Sequence, residues 1–196
     1  MSADLRHVYW LGGGSGAGKS TVARRLADEH GLRLYDTDAA MADHAARSTP
    51  EDSPALHEFM AMDMAERWSD RSPEVMLETF HWYRGEGFGL IVEDLVRLGS
   101  ERGVIAEGFR LLPALVQPLA APGRAVWLLP TPAFRRAAFE GRGSWWTDNL
   151  LERDRMFTER LREETIRLGL PAIEVETSMA ENDLVERVAR AFALVG

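Results

Sequence analysis

Residues 13–20 read Gly13-Gly14-Ser15-Gly16-Ala17-Gly18-Lys19-Ser20, set between the apolar run His7–Leu11 and a helical stretch beginning at Thr21. Strand, glycine-rich loop, Lys-Ser and helix in that order restrict the chain to folds in which a strand delivers a loop onto a helix N-terminus. The glycines let successive backbone N–H groups turn inward as an anion-binding nest, and the helix adds the positive end of its dipole. Lys19 is the single lysine among 23 Lys and Arg residues. A compact ammonium on a thin stem reaches between phosphate oxygens where a planar guanidinium is too wide. The stretch from Gly13 to Thr21 is therefore expected to bind a nucleoside triphosphate. Lys19 would bridge the outer phosphates and the Ser20 hydroxyl would be a ligand for Mg²⁺.

Five short apolar runs, His7–Leu11, Leu32–Tyr35, Gly103–Ala106, Ala125–Leu129 and Ala172–Val175, each precede a helical pattern. Alternation of this kind predicts an α/β fold whose parallel sheet is covered on both faces. The first helix should stop at Gly31, and the last, Asn182 to Leu194, carries Leu184, Val185, Val188 and Phe192 on one face. Between the second and third strands lie about 65 residues, far more than a crossover needs. Helical patterns at Ala39–Ala46, Ala55–Trp68, Pro73–Trp82 and Leu90–Leu98 fill them. The expectation is one domain, 1–196, with a helical insert at 39–100.

Charge is concentrated in that insert. From Met41 to Ser100 there are twelve acids against five arginines, which accounts for seven of the eight net negative charges. The balance argues against a nucleic-acid phosphate backbone as partner, and hints weakly at a neutral or cationic small molecule. The Met60-Met62-Met64 and His81-Trp82-Tyr83 clusters read as core. With no cysteine, disulfides and thiolate metal sites are excluded. No apolar run reaches the roughly 18 residues of a membrane span. The polar start Met1–Arg6 does not resemble a secretion signal, which by default predicts a cytoplasmic protein.

Two acidic segments follow strands and so fall where ligands sit in open parallel sheets. The second strand ends in Tyr35-Asp36-Thr37-Asp38. One carboxylate there can hold Mg²⁺ through water and the other can orient or deprotonate an attacking hydroxyl, although Asp38 also suits a helix cap. The third strand ends in Ala106-Glu107-Gly108-Phe109-Arg110. Glu107 can hold a metal-bound water or contact a substrate, and Gly108 permits close backbone approach.

With these motifs the chain resembles the P-loop small-molecule kinases of the shikimate, gluconate and nucleoside monophosphate kinase superfamily. Asp36-Thr37-Asp38 matches the Asp-Ser/Thr-Asp of shikimate kinases. Glu107-Gly108-Phe109-Arg110 is similar to the Asp-Gly-Phe-Pro-Arg of adenylate kinases, without the proline and with the arginine shifted by one. The resemblance implies a three-layer fold with a five-stranded sheet ordered 2-3-1-4-5, and ATP and Mg²⁺ as cofactors. It implies Asp36, Ser20 and Glu107 at the metal, and Asp38, Glu107, Gly108 and Arg110 toward the acceptor. It also implies a mobile lid, 141–152, hinged at Gly141 and Gly143, with Arg136 or Arg142 against the base. Trp145 and Trp146 would pack the lid. Arginines at the end of the lid would lie over the transferring phosphate. Arg153, then Arg160, fit best because they share the helix face of Phe157, with Arg155 as a further candidate.

The activity this implies is transfer of the γ-phosphoryl group of ATP to a hydroxyl of a small metabolite or natural product, with Lys19, Asp38, Arg153 and Arg160 as catalytic groups. Two other readings fit the same residues. One is a nucleoside or nucleotide kinase, which needs an arginine cluster in the insert. The other is an ATP-binding sensor or slow ATPase without an acceptor. The sequence does not fix the oligomeric state.

Overall fold

The computed structural model describes residues 4–142 and 147–194, with only the backbone of 139, 141 and 142. The chain runs β1 (Val8–Gly13), α1 (Lys19–His30), β2 (Arg33–Asp36), α2 (Met41–Arg47) and α3 (Pro54–Ala61). After a π-helical turn, Glu66–Asp70, come α4 (Pro73–Thr79), a 3₁₀ turn (His81–Arg84), α5 (Phe88–Leu98) and β3 (Val104–Glu107). The chain continues through α6 (Pro113–Val116), β4 (Ala125–Pro130), α7 (Pro132–Arg142), α8 (Asp148–Leu168), β5 (Ala172–Val175) and α9 (Glu181–Ala191). No helix among the described residues is long and apolar enough to cross a membrane.

The five strands form one parallel sheet in the order β2-β3-β1-β4-β5, as the family resemblance implied. The central strands β1, β3 and β4 are buried along their whole length, and this explains their continuous apolar sequences. On one face α1 and α9 cover Tyr9, Leu11, Ile105, Val126 and Leu128. On the other, α8 and the insert cover Val8, Trp10, Ala106, Trp127 and Leu129. Insert and sheet therefore share one continuous core. Leu56, Phe59, Leu77, Phe80 and Tyr83 of the insert belong to the same cluster as Phe157 and Leu161 of α8. Burying each such side chain is worth roughly 1.5–3 kcal/mol, so the insert has no separate hydrophobic support.

Two helical expectations in the insert end early, for a packing reason. The pattern Pro73–Trp82 breaks after Thr79, where Phe80 becomes extended. Phe80, His81, Trp82 and Tyr83 are all buried, and four consecutive residues cannot all face inward from an α-helix. The pattern Ala55–Trp68 breaks at Met62, and the π turn that follows brings Trp68 edge-on to Phe59.

A polar hub fixes the insert to the edge of the sheet. Asp94 of α5 accepts hydrogen bonds from Tyr35 Oη (2.8 Å) and Arg47 (2.9 Å), and lies 2.8 Å from His44 Nε2. Asp43, His44 and Asp94 are close enough to suggest a cation site. Arg47, paired to both Asp43 and Asp94, already balances the carboxylates. The cluster is an ion-pair hub.

Candidate active site

The end of β1 and the head of α1 form a cradle. Gly16 (φ 73°) and Gly18 (φ 84°) take left-handed conformations that glycine alone adopts without strain, turning the loop back on itself. Lys19 opens α1, is buried, and donates from Nζ to the Gly14 carbonyl at 2.8 Å, which holds its ammonium across the loop. Residues 15–21 line a cleft of about 310 Å³ whose other walls are Asp38, Phe109, Leu150 and Asp154.

The carboxylates sit at the adjoining strand ends. Asp36 and Glu107 are register partners in β2 and β3, and Glu107 is also the partner of Leu11 in β1. Asp36 Oδ1 accepts from the N–H groups of Asp38 (2.8 Å) and Ala39 (3.1 Å). These bonds close the turn ahead of α2, which has no side-chain cap, so Asp38 does not cap it and instead lines the cleft. Its carboxyl is pushed up, first by the protein walls around it, against the pull of Lys19 and with added repulsion from Asp36. Glu107 is buried and likewise pushed up by burial, relieved by a hydrogen bond from Ser20 and by Lys19. Its Oε2 has no hydrogen-bond partner. A buried carboxylate oxygen beside a phosphate-loop hydroxyl, with a second carboxylate on the next strand, is a hard-oxygen donor set suited to Mg²⁺. Gly108 (φ 146°) lets this strand end pass Thr37: a Cβ there would lie 1.7 Å from Thr37 Oγ1.

Helix α8 supplies the opposite wall, and here the sequence reading missed the central residue. Asp154 is buried and accepts at Oδ1 from Arg153 Nη2 (2.6 Å), Arg153 Nε (3.0 Å) and Tyr83 Oη (3.2 Å). The Tyr83 ring lies parallel to Phe157 at 3.7 Å. Burial works against the charge of Arg153, but Tyr83 and Asp154 hold it protonated. Tyr83 had read as core only. The signal available was Asp154 itself: an acid within the stripe Leu150, Phe157, Leu161 is a buried charge, and buried charges are paired.

The remaining arginines are placed differently from expectation. Arg160 lies two helical turns beyond Arg153, about 10 Å along the axis, and pairs with Glu78 on the outer surface. Sharing a face with Phe157 does not bring it to the cleft. Arg155 pairs with Glu152 and is half exposed. Arg110 is buried beneath the site. It donates to the carbonyls of Thr37 (3.1 Å) and Gly87 (3.3 Å), lies over the Trp82 ring at 4.0 Å, and is pushed down to about 10 by burial. It braces the Asp36–Asp38 turn and does not reach into the cleft. Arg136 is exposed in a groove between α7 and α8, while its neighbour Arg135 is buried and donates to the Leu151 carbonyl at 2.6 Å. The side chain of Arg142, and Gly143, Trp145 and Trp146, lie outside the described residues.

Beyond Phe109 and Ser15, which border both spaces, a second cavity of about 450 Å³ opens within the insert. Met41, Phe59, Met60, Trp68, Phe80 and Trp82 are among its walls, so clusters read from the sequence as core are in part a lining.

A family model described as an AAA domain matches residues 8–144. The chain belongs to this family. The matched span of this AAA domain runs from β1 into the segment after α7, and so contains the cradle, both acidic strand ends and the insert. No curated protein matches the chain in sequence. Among solved structures, a gluconokinase from Sinorhizobium meliloti 1021 gives a TM-score of 0.51 at 17% identity, covering 99% of this chain and 95% of that one. A deoxyadenosine kinase from M. mycoides gives 0.52 at 10% identity, covering 96% and 100%. The fold of this AAA-domain protein is that of the P-loop small-molecule and nucleoside kinases.

Proposed function

We propose that this protein transfers the γ-phosphoryl group of ATP to a hydroxyl group of a small molecule. The observation that carries the reading is one cleft lined by Lys19, the glycine loop, Ser20 and Asp38, with the buried Glu107 carboxylate behind it under the influence of Ser20 and Lys19.

In this reading the backbone N–H groups of residues 15–20 and the head of α1 hold the phosphates, and Lys19 spans the outer two. Ser20, Glu107 and the free oxygen of Asp36 would hold Mg²⁺, which when bound offsets charge between the phosphates. Asp38 orients the acceptor hydroxyl and takes its proton at a carboxylate oxygen. Arg153, fixed in place by Asp154, stabilises charge on the transferring group from the α8 side. Most of the rate gain would come from positioning, because little covalent chemistry falls to the protein in such transfers. Arg136 and Arg142 are proposed toward the base. Gly108 and Arg110 shape the acceptor side, Arg110 acting through the turn it braces.

The test is ADP release from Mg·ATP across a panel of hydroxylated acceptors, with Lys19→Ala as the blank. Acceptor-dependent release that disappears in the variant supports the reading. Tight ATP binding without any acceptor effect would move the protein to the sensor class.

A further inference from the structure

The cavity beside the phosphate cleft has the wrong chemistry for a cationic acceptor, although the insert that encloses it carries almost all of the net negative charge. None of its lining residues is acidic. Five of the insert's twelve carboxylates are engaged elsewhere: Asp43, Glu93 and Asp94 with Arg47, Glu78 with Arg160, and Glu86 with the N–H groups of Ala55 and Leu56. The lining is aromatic and thioether side chains, with two arginines, Arg67 and Arg153.

Two of the lining side chains, His81 and Arg67, carry buried polar atoms without a partner. His81 is 2% exposed and is pushed down to about 3 by burial and by Arg110, so it is neutral at physiological pH. Its buried Nδ1 has no hydrogen-bond partner. Arg67 lies over the Phe59 ring at 5.2 Å, donates to the Met60 carbonyl, and keeps a buried Nε without a partner. Unmatched buried polar groups of this kind cost free energy until a ligand meets them. The wall is also tied to the chemistry. Thr147 and Asn149 at the head of α8 donate to the carbonyls of Trp68 (2.9 Å) and Ser69 (2.9 Å), and the same helix carries Arg153 and Asp154. On the other side, α2 begins three residues after Asp38 and contributes Met41 to the lining.

From this arrangement we infer that the cavity is the acceptor pocket, and that the acceptor is a largely apolar, ring-bearing alcohol whose remote end is a hydrogen-bond acceptor, best a carboxylate, and not an amine. The inference rests on the phosphotransferase reading for the word acceptor, but the binding chemistry stands without it. The ring system lies among Phe59, Trp68, Phe80 and Trp82, its remote polar end meets Arg67 and His81, and its hydroxyl points past Phe109 toward Asp38. In the transfer, the acceptor oxygen forms a bond to the γ-phosphorus, the bond from that phosphorus to the β–γ bridging oxygen breaks, ADP leaves with the electron pair, and the hydroxyl proton passes to Asp38.

The experiment uses three matched probes: a naphthalenemethanol bearing a carboxylate, the same compound unsubstituted, and one bearing an aminomethyl group. Binding is read by calorimetry on the full chain with a non-hydrolysable ATP analogue present, and turnover by ADP release with Mg·ATP. The carboxylate probe should bind best and the amine worst, with a spread of about ten-fold or more for a hydrogen-bonded charge. Ala42→Trp, at the exposed edge of the pocket, should weaken all three about ten-fold by overfilling while leaving the ATP analogue unaffected. Arg67→Gln should remove the carboxylate preference and spare the neutral probe.

Failure of all three probes to bind, or binding that Ala42→Trp leaves unchanged, overturns the inference. So does preference for the amine. If the probes bind in the predicted order yet no acceptor releases ADP, the pocket chemistry holds and the phosphotransferase reading fails. If sugar acids, nucleosides or aminoglycosides release ADP while the probes do not bind, the reverse is true.

Discussion

Asp36 and Glu107 end neighbouring strands as register partners, and their carboxylates are treated differently by the fold. Asp36 is half satisfied by two backbone N–H groups, whereas Glu107 keeps one buried oxygen without a partner beside Ser20. This pairing gathers negative charge that the neighbouring groups offset only in part. Glu107→Gln keeps a side chain able to meet Ser20 and removes the charge. The variant without ligand should therefore melt at a higher temperature than the wild type, by the equivalent of about 1 kcal/mol or more. It should also lose most of the stabilisation that Mg·ATP gives. Thermal melts with and without Mg·ATP check both halves. A destabilised variant with full nucleotide response would refute the assignment.

Arg153 and Arg160 lie on one face of α8 but only Arg153 touches the cleft wall. Arg160→Gln removes an exposed ion pair, so kcat/KM and stability should stay within about a factor of two. Arg153→Met leaves Asp154 buried without its main partner and should cost about 3 kcal/mol or more in stability. Activity per folded molecule should fall about 100-fold or more. Kinetics with parallel melts separate the two effects.

What the sequence disclosed followed from local rules. Lys19 and the glycine loop were legible because strand, nest and helix head are contiguous, whereas the sheet order came from the family resemblance and not from any local rule. The end of α1 at Gly31 was legible because its left-handed cap is a one-residue requirement. The apolar stripe of α8 marks Asp154 as buried, but its union with Tyr83 was not legible, since that is a contact across 71 positions in the chain. Arg160 was over-read because periodicity reports a face and not a depth along the axis. The acidity of the insert is uninformative for a similar reason. A count of charges does not say which way they point, and in the fold no acid lines the cavity, whose charged lining residues are Arg67 and Arg153.

The Asp38 carboxyl, raised by the cleft walls, sets an acid limb on activity. Proton acceptance requires the ionised form, so kcat/KM should fall as pH falls through a pKa above 3.8, the ordinary value for this group. Saturating Mg²⁺ keeps Glu107 ionised and leaves the limb to Asp38. Asp38→Asn should abolish most turnover while ATP still binds. A profile flat down to the ordinary aspartate range would contradict the role.

The insert should loosen first in acid. His44 is buried and lowered below 6.5, so the folded state takes up its proton less readily than the unfolded chain, and stability is lost as pH falls below about 6.5. Burial alone would raise Asp94, but hydrogen bonds from His44, Arg47 and Tyr35 bring it down to about 2. Its share of stability is lost between about 3.9 and that value. Hydrogen exchange should therefore show α2 and α5 losing protection before α1 and α9 between about pH 6.5 and 4. Asp94→Asn should weaken the same helices at neutral pH by about 1–3 kcal/mol.

The central claim is phosphoryl transfer to a carbon-bound hydroxyl. The measurement that tests it most directly is phosphorus NMR of the reaction containing Mg·ATP and the acceptor giving the greatest ADP release, beside Lys19→Ala. The account predicts a phosphomonoester resonance that grows in step with ADP and is absent in the variant. Growth of inorganic phosphate in step with ADP, with no ester, would show a hydrolase and contradict it.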